Sequence, residues 1–117
     1  MITIAGIGFG EKNAVTIEAI KAMKEADKVV LRTVHHPSVD LLREEGIDFE
    51  ALDYMYETID DFEELYQSIA DYVFDQAKEK NICYVVPGSP SIAESTVKRL
   101  REMTDDIRYI EAVSFIE

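Results

Sequence analysis

Three short stretches hold the residues best suited to gripping a small molecule. The first is GIGFGEKNAVT, in which Gly6, Gly8 and Gly10 alternate. Glycine lets the backbone turn sharply and approach a ligand closely, and this spacing serves a plain tight turn equally well. A dinucleotide fingerprint needs G-x-G-x-x-G, whereas the spacing here is G-x-G-x-G, and Arg32 stands where a ribose-binding acid belongs. A Walker A loop is excluded, because Gly10 is followed by Glu11 and Lys12 without the G-K-[ST] ending. The second stretch is VPGSPS, Val86 to Ser91. Pro87 and Pro90 stiffen its path while Gly88 keeps one point of freedom. Such a turn exposes backbone carbonyls to a donor-rich ligand, such as an adenine amine or an ammonium, or it acts as a rigid connector. The third is EAVSF, where Ser114 is placed to bond a ligand or to cap the next element of the chain.

Other polar residues read more plainly. His35 and His36 are adjacent, with no Cys or acid at metal spacing, which fits loop solvation or a helix entry. The acids from Asp60 to Glu64 suit the positive end of a helix dipole better than a metal. No Ser/His/Asp or Cys/His arrangement assembles, so neither a catalytic residue nor a metal ligand is assigned. The single cysteine, Cys83, lies in the apolar run ICYVV and reads as a buried thiol.

Composition limits the partners. The 117 residues carry 24 acids against 12 lysines and arginines, a net charge of −12. Phosphate backbones and anionic membranes are repelled by such a surface, so no nucleic-acid partner and no membrane association are expected. No apolar run approaches the roughly 18 residues a membrane helix needs. The opening MITIAGIGFG lacks the basic segment and cleavage site of a signal peptide, which makes a cytoplasmic location the expectation.

The elements that must position these loops emerge from periodicity. Ile2 to Gly6 is an unbroken β-branched run, the pattern of a strand buried on both faces. Thr16 to Ala26 reads as a helix with Ile17, Ile20 and Met23 inward, and Lys28 to Leu31 as a strand. Pro37, Ser38 and Gly46 bracket the short helix DLLREE, and Phe49 to Leu52 is a short strand. Phe62, Leu65, Tyr66, Ile69, Tyr72, Val73 and Ala77 form one helical stripe. Ile82 to Val86 is a strand, and Ser91 with Glu94 forms a capping box for a helix whose inner face is Ala93, Val97 and Leu100. Ile107 to Ile110 is the last strand. This alternation predicts one α/β domain in three layers, a mostly parallel five-stranded sheet with helices on both faces. Ligands bind such sheets at the carboxyl ends of strands, where all three loops fall.

Taken together, the loops resemble the tetrapyrrole (corrin/porphyrin) methylase family. That family opens with G-x-G-P-G-D-P-x-x-L-T, matched by Gly6, Gly8, Gly10 and Thr16, with Phe9 for the proline and Glu11 for the aspartate. Its G-D-P loop corresponds to Gly88, Ser89 and Pro90, and its G-[IV]-S loop to Ala112, Val113 and Ser114. The chain is also similar to the subgroup fused to MazG-type nucleotide pyrophosphohydrolases. The L-R-T-x-x-H-P of that subgroup appears at Leu31, Arg32, Thr33, His36 and Pro37, and its Y-E…F-E-x-x-Y-x-x-I-A runs from Tyr56 to Ala70. V-P-G-x-P-x-x-A-E-x-T-V spans Val86 to Val97, and V-S-F spans Val113 to Phe115.

The resemblance implies that residues 1–117 form the N-terminal half of a two-half fold with S-adenosylmethionine (SAM) in the cleft. It places Gly8, Phe9, Gly10, Pro87, Gly88, Ser89, Pro90, Ile92, Ser114 and Phe115 at that cofactor. It implies a SAM-dependent methyltransferase, a small-molecule acceptor such as a tetrapyrrole, and a homodimer. Ser89 replaces an acid that the family's methylases place beside cofactor and substrate. That departure keeps a second expectation open, a non-catalytic SAM-sensing or dimerisation module serving a pyrophosphohydrolase.

Overall fold

The computed structural model describes residues 1–7, 15–35, 39–87 and 95–110. In chain order the elements are β1 (Ile2–Ile7), α1 (Ile17–Glu25), β2 (Lys28–Leu31), α2 (Val39–Glu44) and β3 (Glu50–Ala51). They continue with α3 (Asp53–Thr58), α4 (Phe62–Gln76), β4 (Ile82–Pro87), α5 (Ser95–Met103) and β5 (Ile107–Ile110). The five strands form one sheet in the order β3-β2-β4-β1-β5, and every pairing is parallel. The predicted α/β sheet with helices on both faces is the fold observed.

All six residues of β1 are buried, as are Ile82 to Val86 of β4, so the two central strands have no solvent face. Alternation along them sorts the core into two halves. Ile2, Ile4, Ile82, Tyr84 and Val86 pack with Leu65, Ile69 and Val73 of α4 and with Val97 and Leu100 of α5. Ala5, Ile7, Cys83 and Val85 pack with Ala19, Ala22 and Met23 of α1 and with Val39 and Leu42 of α2. The period of two in a strand sends neighbouring side chains to opposite faces, and here both faces carry helices. Cys83 is wholly buried, and that burial pushes its thiol up to about 12.

Local chemistry sets the boundaries. The Thr16 hydroxyl accepts from Ala19 N at 3.0 Å and caps α1. Asp61 caps α4 by accepting from Glu63 N, which bears out the helix-start reading of that acidic run. The Ser91 and Glu94 capping box lies outside the described residues.

Two packing expectations need correction. Ile17 is 89% exposed, because α1 turns Ala19, Ala22 and Met23 inward and Ile17 lies about 160° around the helix from Ala19 at ~100° per residue, whereas Ile20 is part-buried and packs against the core. Phe62 is 66% exposed although it lies on the α4 stripe. It occupies the first turn and stacks on Tyr66, centroids 6.2 Å apart, instead of reaching the sheet. Helix α3 is an addition to the elements that periodicity predicts. It buries no residue fully and has no side-chain cap, so neither an apolar stripe nor a capping signal marks it.

The edge strand β3 has only two residues, pairing Val30 with Glu50 and Leu31 with Ala51. A polar cluster holds its amino end. Lys28 Nζ donates to Tyr72 Oη at 3.1 Å and to Gln76 Oε1 at 3.3 Å, and it lies 3.6 Å from Glu50 Oε2. Tyr72 Oη in turn donates to Glu50. The hydrogen bond to Tyr72, followed by the Glu50 charge, raises Lys28 above its usual 10.5. Burial first, then the hydrogen bond to Glu50, raises Tyr72 above its usual 10.0.

Both groups hold their protons more tightly in the folded chain, so the stability they contribute is complete below about pH 10 and declines as pH rises through the folded values. Tyr72→Phe is expected to cost about 1 kcal/mol at pH 7, the usual worth of one hydrogen bond. The gap to the native chain should narrow in urea titrations above pH 10.5; a constant gap would refute the assignment.

Candidate functional site: the carboxyl rim of the sheet

In this strand order β4 sends its chain one way while its two neighbours, β1 and β2, send theirs the other. From β1 the chain passes through α1 to β2, crossing β4. From β4 it passes through α5 to β5, crossing β1. Helices α1 and α5 therefore lie on opposite faces, which matches the two halves of the core. The carboxyl ends of strands at such a switch point are where parallel α/β sheets bind ligands.

The register brings those ends level, with Gly6 beside Val86 and Ile7 beside Pro87. β5 lies on the other flank of β1, pairing Ala5 with Ile110. The strands leading into the three candidate loops of the sequence are thus three neighbours, β4-β1-β5, pointing the same way. The two central strands are apolar to their ends: Ile7, Val85 and Val86 are buried in the core, and neither β1 nor β4 carries a charged residue. Strand ends of this kind offer a ligand main-chain groups rather than charge.

Pro87 is the one expected cofactor residue that is placed, at the last position of β4 beside Ile7. Gly8, Phe9, Gly10, Gly88, Ser89, Pro90, Ile92, Ser114 and Phe115 lie outside the described residues.

One strand to the side, a second set of polar residues meets. Arg32 N donates to Val85 O at 3.0 Å, extending the β2–β4 ladder to the rim. The Arg32 Nε donates to Tyr56 Oη of α3 at 2.7 Å, and its guanidinium lies over that ring at 5.7 Å. Asp53, the first residue of α3, accepts from Thr33 Oγ1 at 2.7 Å and from Val34 N at 3.0 Å. His35 N donates back to Thr33 Oγ1 at 3.0 Å, and its imidazole Nε2 stands 3.6 Å from Asp53 Oδ2. Arg32, Thr33, His35, Asp53, Tyr56 and Glu57 line a cleft of about 400 Å³. Residue types and spacing alone assign His35 to solvent and give Asp53 no role. The signal in the sequence is the pair of motif fragments L-R-T and Y-E, which tertiary folding brings together. Among the described residues no group of three or more His, Cys, Asp or Glu is placed to hold a metal. No helix of the described residues is long and apolar enough to cross a membrane.

A parallel α/β sheet whose connections switch faces between β1 and β4 defines the class, and comparison with known proteins defines the family. The family model for tetrapyrrole (corrin/porphyrin) methylases matches residues 1–117, and the chain belongs to that family. The "Uncharacterized protein YabN" of Bacillus subtilis (strain 168) is 39% identical over 101 residues, 86% of this chain and 21% of YabN. A crystal structure of diphthine synthase aligns with a TM-score of 0.69 at 19% identity, over 97% of this chain and 45% of that one. A uroporphyrin-III-C-methyltransferase from Thermus thermophilus aligns with a TM-score of 0.69 at 17% identity, over 97% and 47%. The chain thus spans about a fifth of that relative and under half of each of these structures.

Asp53 anchors the turn after β2 through two hydrogen bonds. Asp53→Ala should therefore destabilise the chain by about 1–3 kcal/mol, the cost of leaving such donors unmet. Asp53→Asn should recover part of it in the same urea titration; an Ala variant as stable as the parent would show that Asp53 is not structural.

Proposed function

We propose that this chain forms the N-terminal wall of a SAM cleft in a methyltransferase, with a second α/β half completing the cleft. The observation that carries this reading is the side-by-side placement of the β4, β1 and β5 carboxyl ends. Family membership and the 45% and 47% coverage of diphthine synthase and of the uroporphyrin-III-C-methyltransferase support it. Main chain following Ile7, Pro87 and Ile110 would hold the adenosyl group, with Phe9, Ile92 and Phe115 covering it. SAM supplies an electrophilic methyl when bound. Positioning of the acceptor in line with that methyl then supplies much of the rate, so no general base is required of this chain. The net charge of −12 favours the cationic sulfonium and disfavours a polycarboxylate acceptor. A homodimer and a small-molecule acceptor complete the proposal.

The protein carrying both halves should bind S-adenosylhomocysteine with a dissociation constant of about 1–100 μM, the range of small-molecule sites that spend ~5–8 kcal/mol. Calorimetry showing no heat with either SAM or S-adenosylhomocysteine would remove the reading.

Ser89, standing where the family's methylases carry an acid, favours a second role on the same scaffold. In that role the module senses SAM or sets the oligomeric state for an attached MazG-type pyrophosphohydrolase, and YabN is long enough to hold further domains. Deleting the module from such a fusion should change nucleotide hydrolysis or the assembly mass. Unchanged kinetics and mass together would exclude it.

A further inference from the structure

The cleft at the carboxyl ends of β2 and β3 is not used by the cofactor reading, whose loops leave from β1, β4 and β5. It has opposite charges on its walls. On one side is the turn after β2, carrying Arg32 and His35. Facing it is α3, carrying Asp53 and Glu57. Its volume of about 400 Å³ falls within the ~300–1,000 Å³ range of small-molecule sites.

The positive wall is set in advance. The Tyr56 hydroxyl and ring hold the Arg32 guanidinium, so part of the ordering cost of a long side chain is met before a ligand arrives. Thr33 Oγ1 fixes the backbone of His35, and Asp53 stands behind the imidazole. On the negative wall, both Asp53 oxygens are engaged by the turn, whereas Glu57 is exposed and has no ion-pair partner among the described residues. A simple anion drawn to Arg32 would meet the carboxylates of Asp53 and Glu57. A simple cation drawn to Glu57 would meet Arg32. A ligand bearing both charges satisfies each wall.

We infer that this cleft is a binding site for a small zwitterion, an amino acid or short peptide, with its carboxylate on Arg32 and its ammonium on Glu57. The inference does not rest on the cleft for SAM. The bond from Arg32 N to Val85 O sets the site one strand away from the pairing of β1 with β4. The same charge pair also occurs in the amino-acid tail of SAM, and the test separates the two sources.

The test is an amide NMR titration of the full chain with glycine and glycylglycine as zwitterions, acetate as anion and methylamine as cation. Saturable shifts of Thr33, Val34, His35, Tyr56 and Glu57 are expected with the zwitterions. Acetate and methylamine should bind about tenfold more weakly, the ~1.4 kcal/mol that one lost charge-assisted contact gives. Arg32→Gln and Glu57→Gln should each weaken glycylglycine by about tenfold on the same scale. Glu57 is exposed, so its variant keeps the test open if Arg32→Gln disturbs the fold. Equal affinity for acetate and glycine, or no effect of Glu57→Gln, would overturn the inference. So would displacement of glycine by S-adenosylhomocysteine but not by methylthioadenosine, which lacks the amino-acid tail. Retention of glycine in the presence of both would support it.

Discussion

Parallel pairing of β1 with β4 is the contact on which the rest of this chain depends. These strands are far apart in sequence and cannot be joined by a short turn, so each connection must pass over a face of the sheet. Because β1 sends its helix one way and β4 the other, both faces are covered and both strands lose contact with water. The same division makes their carboxyl ends a switch point, where sheets of this kind bind ligands. Two-sided burial and the switch point are therefore consequences of one topological choice. A sheet wound in a single direction would have neither helices on two faces nor a central gap between diverging connections.

The weakest part of such a sheet is its edge, where a two-residue strand such as β3 gains little from main-chain pairing. Here side chains secure it at both ends. Lys28, Tyr72 and Glu50 tie its amino end to α4, and Thr33 with Asp53 ties the turn after β2 to α3. Two tyrosines play equivalent parts, Tyr72 toward Lys28 and Tyr56 toward Arg32, each accepting from a cation at one end of β2. Such part-buried groups are worth more than the exposed ion pairs elsewhere, such as Lys24–Glu45 or Arg43–Asp40, which water and salt largely screen. The polar residues around the second cleft thus have a structural task as well as the chemistry they offer to a ligand.

The excess of acid shapes what the surface can meet. A chain of net charge −12 attracts cations broadly, yet the cleft beside β2 sets Arg32 against that background. A cation held in an acidic field recognises a ligand by local geometry more than by long-range steering, since distant charges are screened over about 8–10 Å. That contrast gives the site its selectivity for molecules that carry both signs.

By itself the sequence determined the order of the elements other than α3, the two-sided burial of the central strands and the parallel architecture. Those features rest on periodicity, and periodicity is local: ITIAGI and ICYVV have no charged face, so they must lie between two layers. Helix α3, the outward turn of Ile17 and Phe62, and the meeting of Arg32 with Tyr56 and of Thr33 with Asp53 were decided only by tertiary structure. Each depends on what stands opposite in space. Arg32 and Tyr56 are 24 positions apart, and nothing in the sequence between them fixes their separation at 2.7 Å; the pairing of β2 with β3 does.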